Sequence, residues 1–293
     1  MRRIYVIFFV AVSLLILPIE SKSLSETNVS FSSESLVRGG IILITVKADR
    51  FEKPQVTWIK KEIPLVYCQG NDAWRGFVAA DLSQKAGGYK GVVQSPSTGF
   101  EKEFYVRVND KDYGVRKLKL PRKKVDLDTI TLNRVKNEAS IVNALWAVDI
   151  TAPAWEGEFL MPVGGKVIGA FGKRSIINNN KRALHTGIDL RGKQGTPVKA
   201  TNNGRVMLVA DHFFTGNSLY LDHGGGIISM YFHLDKIMVE EGNTIKRGEI
   251  IGLVGSTGRA TGPHLHWGVR INGARVNPLT LIELSKELGE YSR

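Results

Sequence analysis

The chain has 293 residues, 43% of them hydrophobic and 23% charged, with a formal net charge of +12. That length exceeds one small domain and suits two with a connector, and the ordinary globular mix excludes wholesale disorder. The single cysteine, Cys68, excludes an internal disulfide and reads as a small buried hydrophobe.

At the amino terminus, Arg2 and Arg3 precede an almost unbroken apolar run from Ile4 to Leu17. Pro18 closes it, and polar Glu20-Ser21-Lys22-Ser23 follows. This is the pattern of a secretory signal peptide over residues 1–23. The run of about 14 residues is short of the roughly 20 that span a bilayer. Cleavage is therefore the expectation, and an uncleaved membrane anchor the alternative. No cysteine stands just after the run, which argues against a lipoprotein. Without the signal, about +10 of charge remains. An exported basic protein is drawn to wall polymers, acidic peptides or lipid headgroups. Nucleic acid is not expected as a partner, because an exported chain seldom meets it and no recognised binding motif is present.

From residue 24 to residue 110 the chain reads as short strands. Ile41-Ile42-Leu43-Ile44-Thr45-Val46 follows Gly39-Gly40, and Gln55-Val56-Thr57-Trp58-Ile59 follows Pro54. Trp74 to Ala79, Tyr89 to Val93 and Phe100 to Val108 each follow their own turn residues. Short strands with turn signals roughly every 10 residues predict a small antiparallel sandwich. The pattern resembles an immunoglobulin-like module without its disulfide. No ionisable cluster appears there, so a spacer or docking module without chemistry of its own is expected.

Residues 111–150 read as a basic linker and a helix. Lys111 to Lys124 holds seven basic residues against one acid, Asp112. A solvated linker is one reading, and contact with an anionic wall polymer or membrane surface the other. Pro121 argues against a continuous helix there. Asp126 to Trp146 then reads as a helix capped by Asp128. Its apolar residues recur at spacings of two to four, and one apolar face is expected to pack on a neighbouring domain and fix the two domains together.

Residues 151–285 form the last unit, again β but denser in glycine. Val167 to Gly172 opens it. Thr196 to Ala200 and Gly204 to Val209 flank Asn202-Asn203-Gly204, and Ser218 to His223 and Gly226 to Tyr231 flank a Gly-Gly hairpin. Leu279 to Leu288 reads as a closing helix. The glycine-rich stretches Gly224-Gly225-Gly226 and Gly255-Ser256-Thr257-Gly258 read as tight β turns, since no P-loop lysine follows them.

All six histidines lie in the last 110 residues or so. In a strand, His264 and His266 point to one side and can face one cavity. His185 and Asp189 would lie roughly 13 Å apart in a straight strand, too far to share an ion. A bend at Gly187 would close that gap. A few imidazoles and a carboxylate are the ligand set of a catalytic zinc, with three protein ligands and one open position. His223 reads as part of a hairpin turn and His212 as a surface loop residue.

His185-x-x-x-Asp189 and His264-x-His266, with Tyr231-x-His233-Leu234 between them, resemble the lysostaphin/LytM-type zinc metallopeptidases of peptidase family M23. Gly-Thr-Pro-Val, Gly-Arg-Val, Asp-His-Gly and Gly-Ser-Thr-Gly match in order and spacing, over about residues 158–278. The resemblance implies a mostly β fold with a carboxy-terminal antiparallel LytM-type peptidase domain, and Zn2+ as cofactor. It implies His185, Asp189 and His266 as metal ligands. It implies His233 and His264 as the catalytic pair that orients water, takes its proton and stabilises the tetrahedral intermediate. The HExxH glutamate base is absent from the family and from this chain, so a histidine must do the proton work, which a pKa near 6.5 allows.

The function implied is an exported zinc metalloendopeptidase acting on peptidoglycan stem peptides or cross-bridges, in the periplasm or cell envelope. The alternatives are a catalytically inactive LytM-type regulator of wall amidases, and a wall-binding protein with a vestigial site. The amino-terminal module is expected to limit access to the groove.

Overall fold

The computed structural model describes residues 28–96, 99–147, 149–179 and 181–288. The expected signal segment, residues 1–23, lies outside them. The described chain is mostly β.

Nine strands build the amino-terminal part. They are β1 (Asn28–Phe31), β2 (Ser35–Val37), β3 (Ile41–Lys47), β4 (Gln55–Trp58) and β5 (Lys61–Glu62). Then come β6 (Val66–Cys68), β7 (Ala73–Ala79), β8 (Gly87–Ser95) and β9 (Phe100–Asn109). They form two sheets, ordered β1-β3-β7-β6 and β2-β9-β8-β4-β5. One departure from the antiparallel expectation is that β2 runs parallel to β9.

The run from Ile41 to Val46 explains how this part is held. Alternate residues of a strand face opposite sides of its sheet. Ile42, Ile44 and Val46 face the sandwich core with Val56, Trp58 and Val106. Ile41 and Leu43, with Cys68 and Phe77, enter the same cluster as Leu190, Tyr231 and Trp267 of the carboxy-terminal part. The β3 sheet is thus buried on both faces, which is why β3 is continuously apolar rather than alternating. Polar contacts lock the junction. Arg275 Nε and Nη2 donate to Asp81 at 2.9 and 2.6 Å, and Asn277 N donates to Gly39 O at 2.9 Å.

The basic segment is not a solvated linker. Its residues β10 (Val115–Leu118) pair in parallel with β12 (Arg174–Ile177), the first strand of a hairpin completed by β13 (Lys181–Leu184). Lys117 and Lys119 point to solvent, while Arg116, Leu118 and Leu120 are half-buried.

Helix α1 (Thr129–Ala144) begins as expected, with Asp128 Oδ1 accepting from Thr131 N at 2.7 Å. Its expected packing role is not met. It buries no residue, and Ile130 is 83% exposed. Only Val142 at its end, with Leu145 and Trp146 beyond, rests on Tyr220, Met230 and Phe232. The apolar spacing in α1 was too scattered to make one continuous stripe. The shared face of β3, not this helix, joins the two parts.

The carboxy-terminal part is a ten-stranded antiparallel sheet. Its first strands are β11 (Val167–Gly169), β14 (Gly187–Arg191), β15 (Pro197–Lys199), β16 (Gly204–His212) and β17 (Gly216–Asp222). The others are β18 (Ile227–Ile237), β19 (Thr244–Ile245), β20 (Ile250–Val254), β21 (His264–Ile271) and β22 (Ala274–Val276). Its spine runs β11-β14-β21-β18-β17-β16-β19. Helix α2 (Pro278–Glu287), capped by Asn277, closes the core with Leu281.

Candidate metal centre

Two adjacent antiparallel strands place the candidate ligands. Asp189 of β14 stands directly opposite His266 of β21. His185 lies just before β14, where the chain leaves the β12–β13 hairpin. The break in the strand closes the 13 Å gap. Gly187 is needed there for room rather than for an unusual dihedral, since it is absent from the positive-φ positions. A Cβ on it would lie 2.4 Å from Trp267 O and 2.7 Å from His266 Nε2. Gly169 lets β11 pass over the carboxylate in the same way, since a Cβ there would lie 2.1 Å from Asp189 Oδ2.

Three donor atoms converge. His185 Nε2 is 2.8 Å from Asp189 Oδ1, His266 Nδ1 is 2.9 Å from that oxygen, and the two nitrogens are 3.1 Å apart. All three residues are buried. A tetrahedral zinc with bonds of about 2.0–2.1 Å needs ligand atoms about 3.3–3.4 Å apart. The triangle therefore fits such an ion with a shift of a few tenths of an ångström. It is also the one group of metal-competent side chains found among the described residues.

Backbone carbonyls set the tautomers. His185 Nδ1 is 2.7 Å from Ala170 O. A carbonyl only accepts, so this nitrogen carries the proton and Nε2 presents a lone pair to the centre. Burial would raise the Asp189 pKa. The His185 and His266 imidazoles packed against its Oδ1 outweigh this, and hold the carboxyl well below the usual range. Burial also lowers the His266 pKa, against the pull of Asp189. The His266 ring lies stacked on Phe232, with centroids 5.5 Å apart.

His233 and His264 stand beside this triangle without joining it. Their ring centroids are 4.9 Å apart, and His264 Nε2 is 3.8 Å from Asp189 Oδ1. His233 Nδ1 donates to Thr257 O at 2.9 Å and His264 Nδ1 to Gly262 O at 2.7 Å. Each ring therefore keeps a bare Nε2. His233 adopts φ 63°, a left-handed conformation uncommon for a side-chain-bearing residue. The register of β18 with β17 shifts across it, and that with β20 shifts just beyond, between Leu234 and Lys236. Backbone irregularity of this kind re-aims a side chain out of its strand alternation. Burial, then the neighbouring His266 and His264, push the His233 pKa down to about 3.

All five residues line one cavity of about 220 Å³, with Phe214, Phe232, Thr261 and Arg259. The basic segment supplies one wall through Arg116, Leu118 and Leu120. Arg116 Nη1 donates to Asp189 Oδ2 at 3.1 Å, and its Nε to Ser175 Oγ at 2.8 Å. Sequence reasoning missed this wall. The alternation in Arg116-Lys117-Leu118-Lys119-Leu120 was the available signal, hidden by the charge run.

Residues 183–278 match the family described as peptidase family M23. A solved M23 peptidase structure from Pseudomonas aeruginosa is 31% identical. It superimposes with a TM-score of 0.65 over 84% of this chain and 94% of that one. The chain belongs to peptidase family M23. Among curated relatives, the DD-carboxypeptidase/endopeptidase Mpg of Neisseria meningitidis is 39% identical over 147 residues. The match takes in 47% of this chain and 34% of that protein. The peptidoglycan DD-endopeptidase ShyA of Vibrio cholerae is 40% identical over 110 residues, 37% of this chain and 26% of that protein. The matches thus span about a third or less of these relatives' length.

The remaining histidines are structural. His223 is fully buried, with Nδ1 2.6 Å from Asn203 O and Nε2 2.7 Å from Ser229 Oγ. Burial pushes its pKa down to about 4. His212 is not the surface residue expected. It ends β16 with 6% exposure, packed edge-on to Tyr220.

Proposed function

We propose that this protein is a zinc-dependent endopeptidase that hydrolyses amide bonds in peptidoglycan stem peptides or cross-bridges. The observation that carries this reading is the division of labour among five clustered residues. Three donor atoms converge within 2.8–3.1 Å, while two further imidazoles keep their Nε2 atoms bare beside them. A structural zinc site uses four protein ligands, whereas a catalytic one leaves a position open.

In this reading His185, Asp189 and His266 hold Zn2+. The ion would supply Lewis acidity, lowering the pKa of water and polarising the scissile carbonyl. His233 and His264 orient the attacking water through their bare Nε2 atoms and take its proton. The buried His233 holds a proton weakly. Its imidazolium therefore passes the proton on readily, and the leaving amine is the group that needs it. Phe214 and Phe232, with Leu118 and Leu120, give the groove apolar walls that exclude water from the bond being cut.

The relatives' names supply the peptidoglycan substrate, and with it a place outside the cytoplasm in the cell envelope. The exposed Lys117, Lys119 and Arg122 on the outer side of the connector suit contact with anionic wall polymers or a membrane surface. The complete ligand set favours an enzyme over a metal-free regulator of amidases. The test is zinc analysis of the purified protein, together with digestion of sacculi of known cross-link type and mass analysis of the products. About one zinc per chain and new free amino ends are expected. A protein that takes up no zinc and leaves sacculi intact would refute the proposal.

A further inference from the structure

We infer that Arg259 is a specificity residue that reads a free carboxylate on the amine side of the scissile bond. The inference rests on the peptidase reading above and specifies which peptides that site accepts.

Asp189 is the one acid among the residues lining the cavity, and two guanidinium groups line it as well. The Asp189 oxygens are occupied by His185, His266 and Arg116. That leaves Arg259. Its guanidinium carbon lies 4.1 Å from the centroid of the Phe214 ring, and its backbone N donates to Phe214 O at 2.8 Å. The residue is thus held at two points against Phe214, by the ring and by the backbone carbonyl. Among the described residues no acid forms an ion pair with it. Burial lowers its pKa.

A partly desolvated cation without a counter-ion is costly. A guanidinium has a planar fork that matches a carboxylate through two parallel hydrogen bonds. The Phe214 ring holds the guanidinium in place by cation–π attraction, which uses none of its N–H donors. The missing counter-ion is therefore a carboxylate that arrives with the substrate.

The position of Arg259 says which carboxylate. It lies two residues beyond Thr257, whose carbonyl holds His233 Nδ1, and in the loop leading to His264. His233 and His264 serve the proton that the leaving amine must receive. A group on this loop lies on the amine side of the bond. The residue donating that amine should then carry its own free carboxylate. A chain-terminal residue does, and so does a diaminodicarboxylic acid whose side-chain amine is acylated in a cross-link. A residue inside a linear peptide has a neutral amide there instead.

The experiment uses the zinc-loaded full chain and a synthetic stem pentapeptide ending in D-Ala-D-Ala, as the free acid and as its carboxy-terminal amide. Binding is measured by calorimetry, and hydrolysis separately. The wild type should bind the acid about tenfold or more tighter than the amide. Arg259→Gln should bind both at the level of the amide with its zinc content unchanged, and Arg259→Lys should recover part of the preference. Equal binding of the two peptides by the wild type, or binding of neither, would overturn the inference. So would a preference that survives in Arg259→Gln, because the acid would then be held elsewhere, for example by the metal. If the acid binds through Arg259 but neither peptide is cut, and sacculi stay intact, the carboxylate site stands and the peptidase reading fails.

Discussion

Arg116 Nη1 lies 3.1 Å from Asp189 Oδ2, the carboxylate oxygen that His185 and His266 leave free. A residue of the connector thereby holds the proposed metal ligand from behind, with Oδ1 turned toward His185 and His266. Partners of this kind typically carry 10- to 100-fold of metal affinity. Arg116→Ala should weaken zinc binding by about that factor, read by competition with a chromophoric chelator. An unchanged affinity would make Arg116 a passive part of the wall.

Removing a ligand should have a larger effect. Asp189→Asn keeps the shape of the side chain but removes its charge and a strong donor, and His185→Ala removes a ligand outright. Either should lower zinc from about one per chain to near zero in a dialysed sample. Circular dichroism should stay that of the wild type, because the core around Leu190, Tyr231 and Trp267 is untouched. Full zinc retention in both variants would displace the proposed centre.

His233 should separate metal binding from turnover. His233→Ala leaves the three convergent donors in place, so zinc content should hold. Turnover should fall by about 10²- to 10⁴-fold, the usual range for a lost general acid–base. Undiminished hydrolysis of sacculi by this variant would end its assigned role.

The fold should also weaken in mild acid through His223. Burial holds its folded-state pKa at about 4, below its ordinary value of 6.5. Between these pH values the unfolded chain takes up a proton that the folded chain does not. The stabilising contribution is therefore complete above about pH 6.5 and is lost as the pH falls toward 4. It amounts to roughly 3 kcal/mol across that window. Urea unfolding at pH 7 and pH 5 should show a smaller drop in midpoint for His223→Gln than for the wild type. Equal drops would show that other groups carry the acid sensitivity.

Much of the site was legible in the chain because its chemistry is dense and local. His264 and His266 are two apart in one strand, and no packing detail alters which face they share. The pairing of His185 with Asp189 needed only a break in the strand. The role of Gly187 was less accessible, because its requirement comes from Trp267 and His266 on another strand. His212 was misread for a similar reason. Its loop-like neighbours gave no hint that Tyr220 would cover it. The basic connector misled most. Its charge run suggested solvation, yet an edge strand with alternate side chains outward places lysines in water while burying the residues between them.

Local pattern thus determined the class of fold and brought forward His185, Asp189 and His266 as the proposed ligands, with His233 and His264 as the proposed proton-handling pair. Each depends on residue type at short spacing. Tertiary packing decided three further things. It buried both faces of β3, so that one sheet serves two cores. It laid β10 along the groove and aimed Arg116 at Asp189. It also set Arg259 over the Phe214 ring with no acid paired to it among the described residues. These relationships join residues far apart in the chain, and only the folded geometry shows which polar groups find partners.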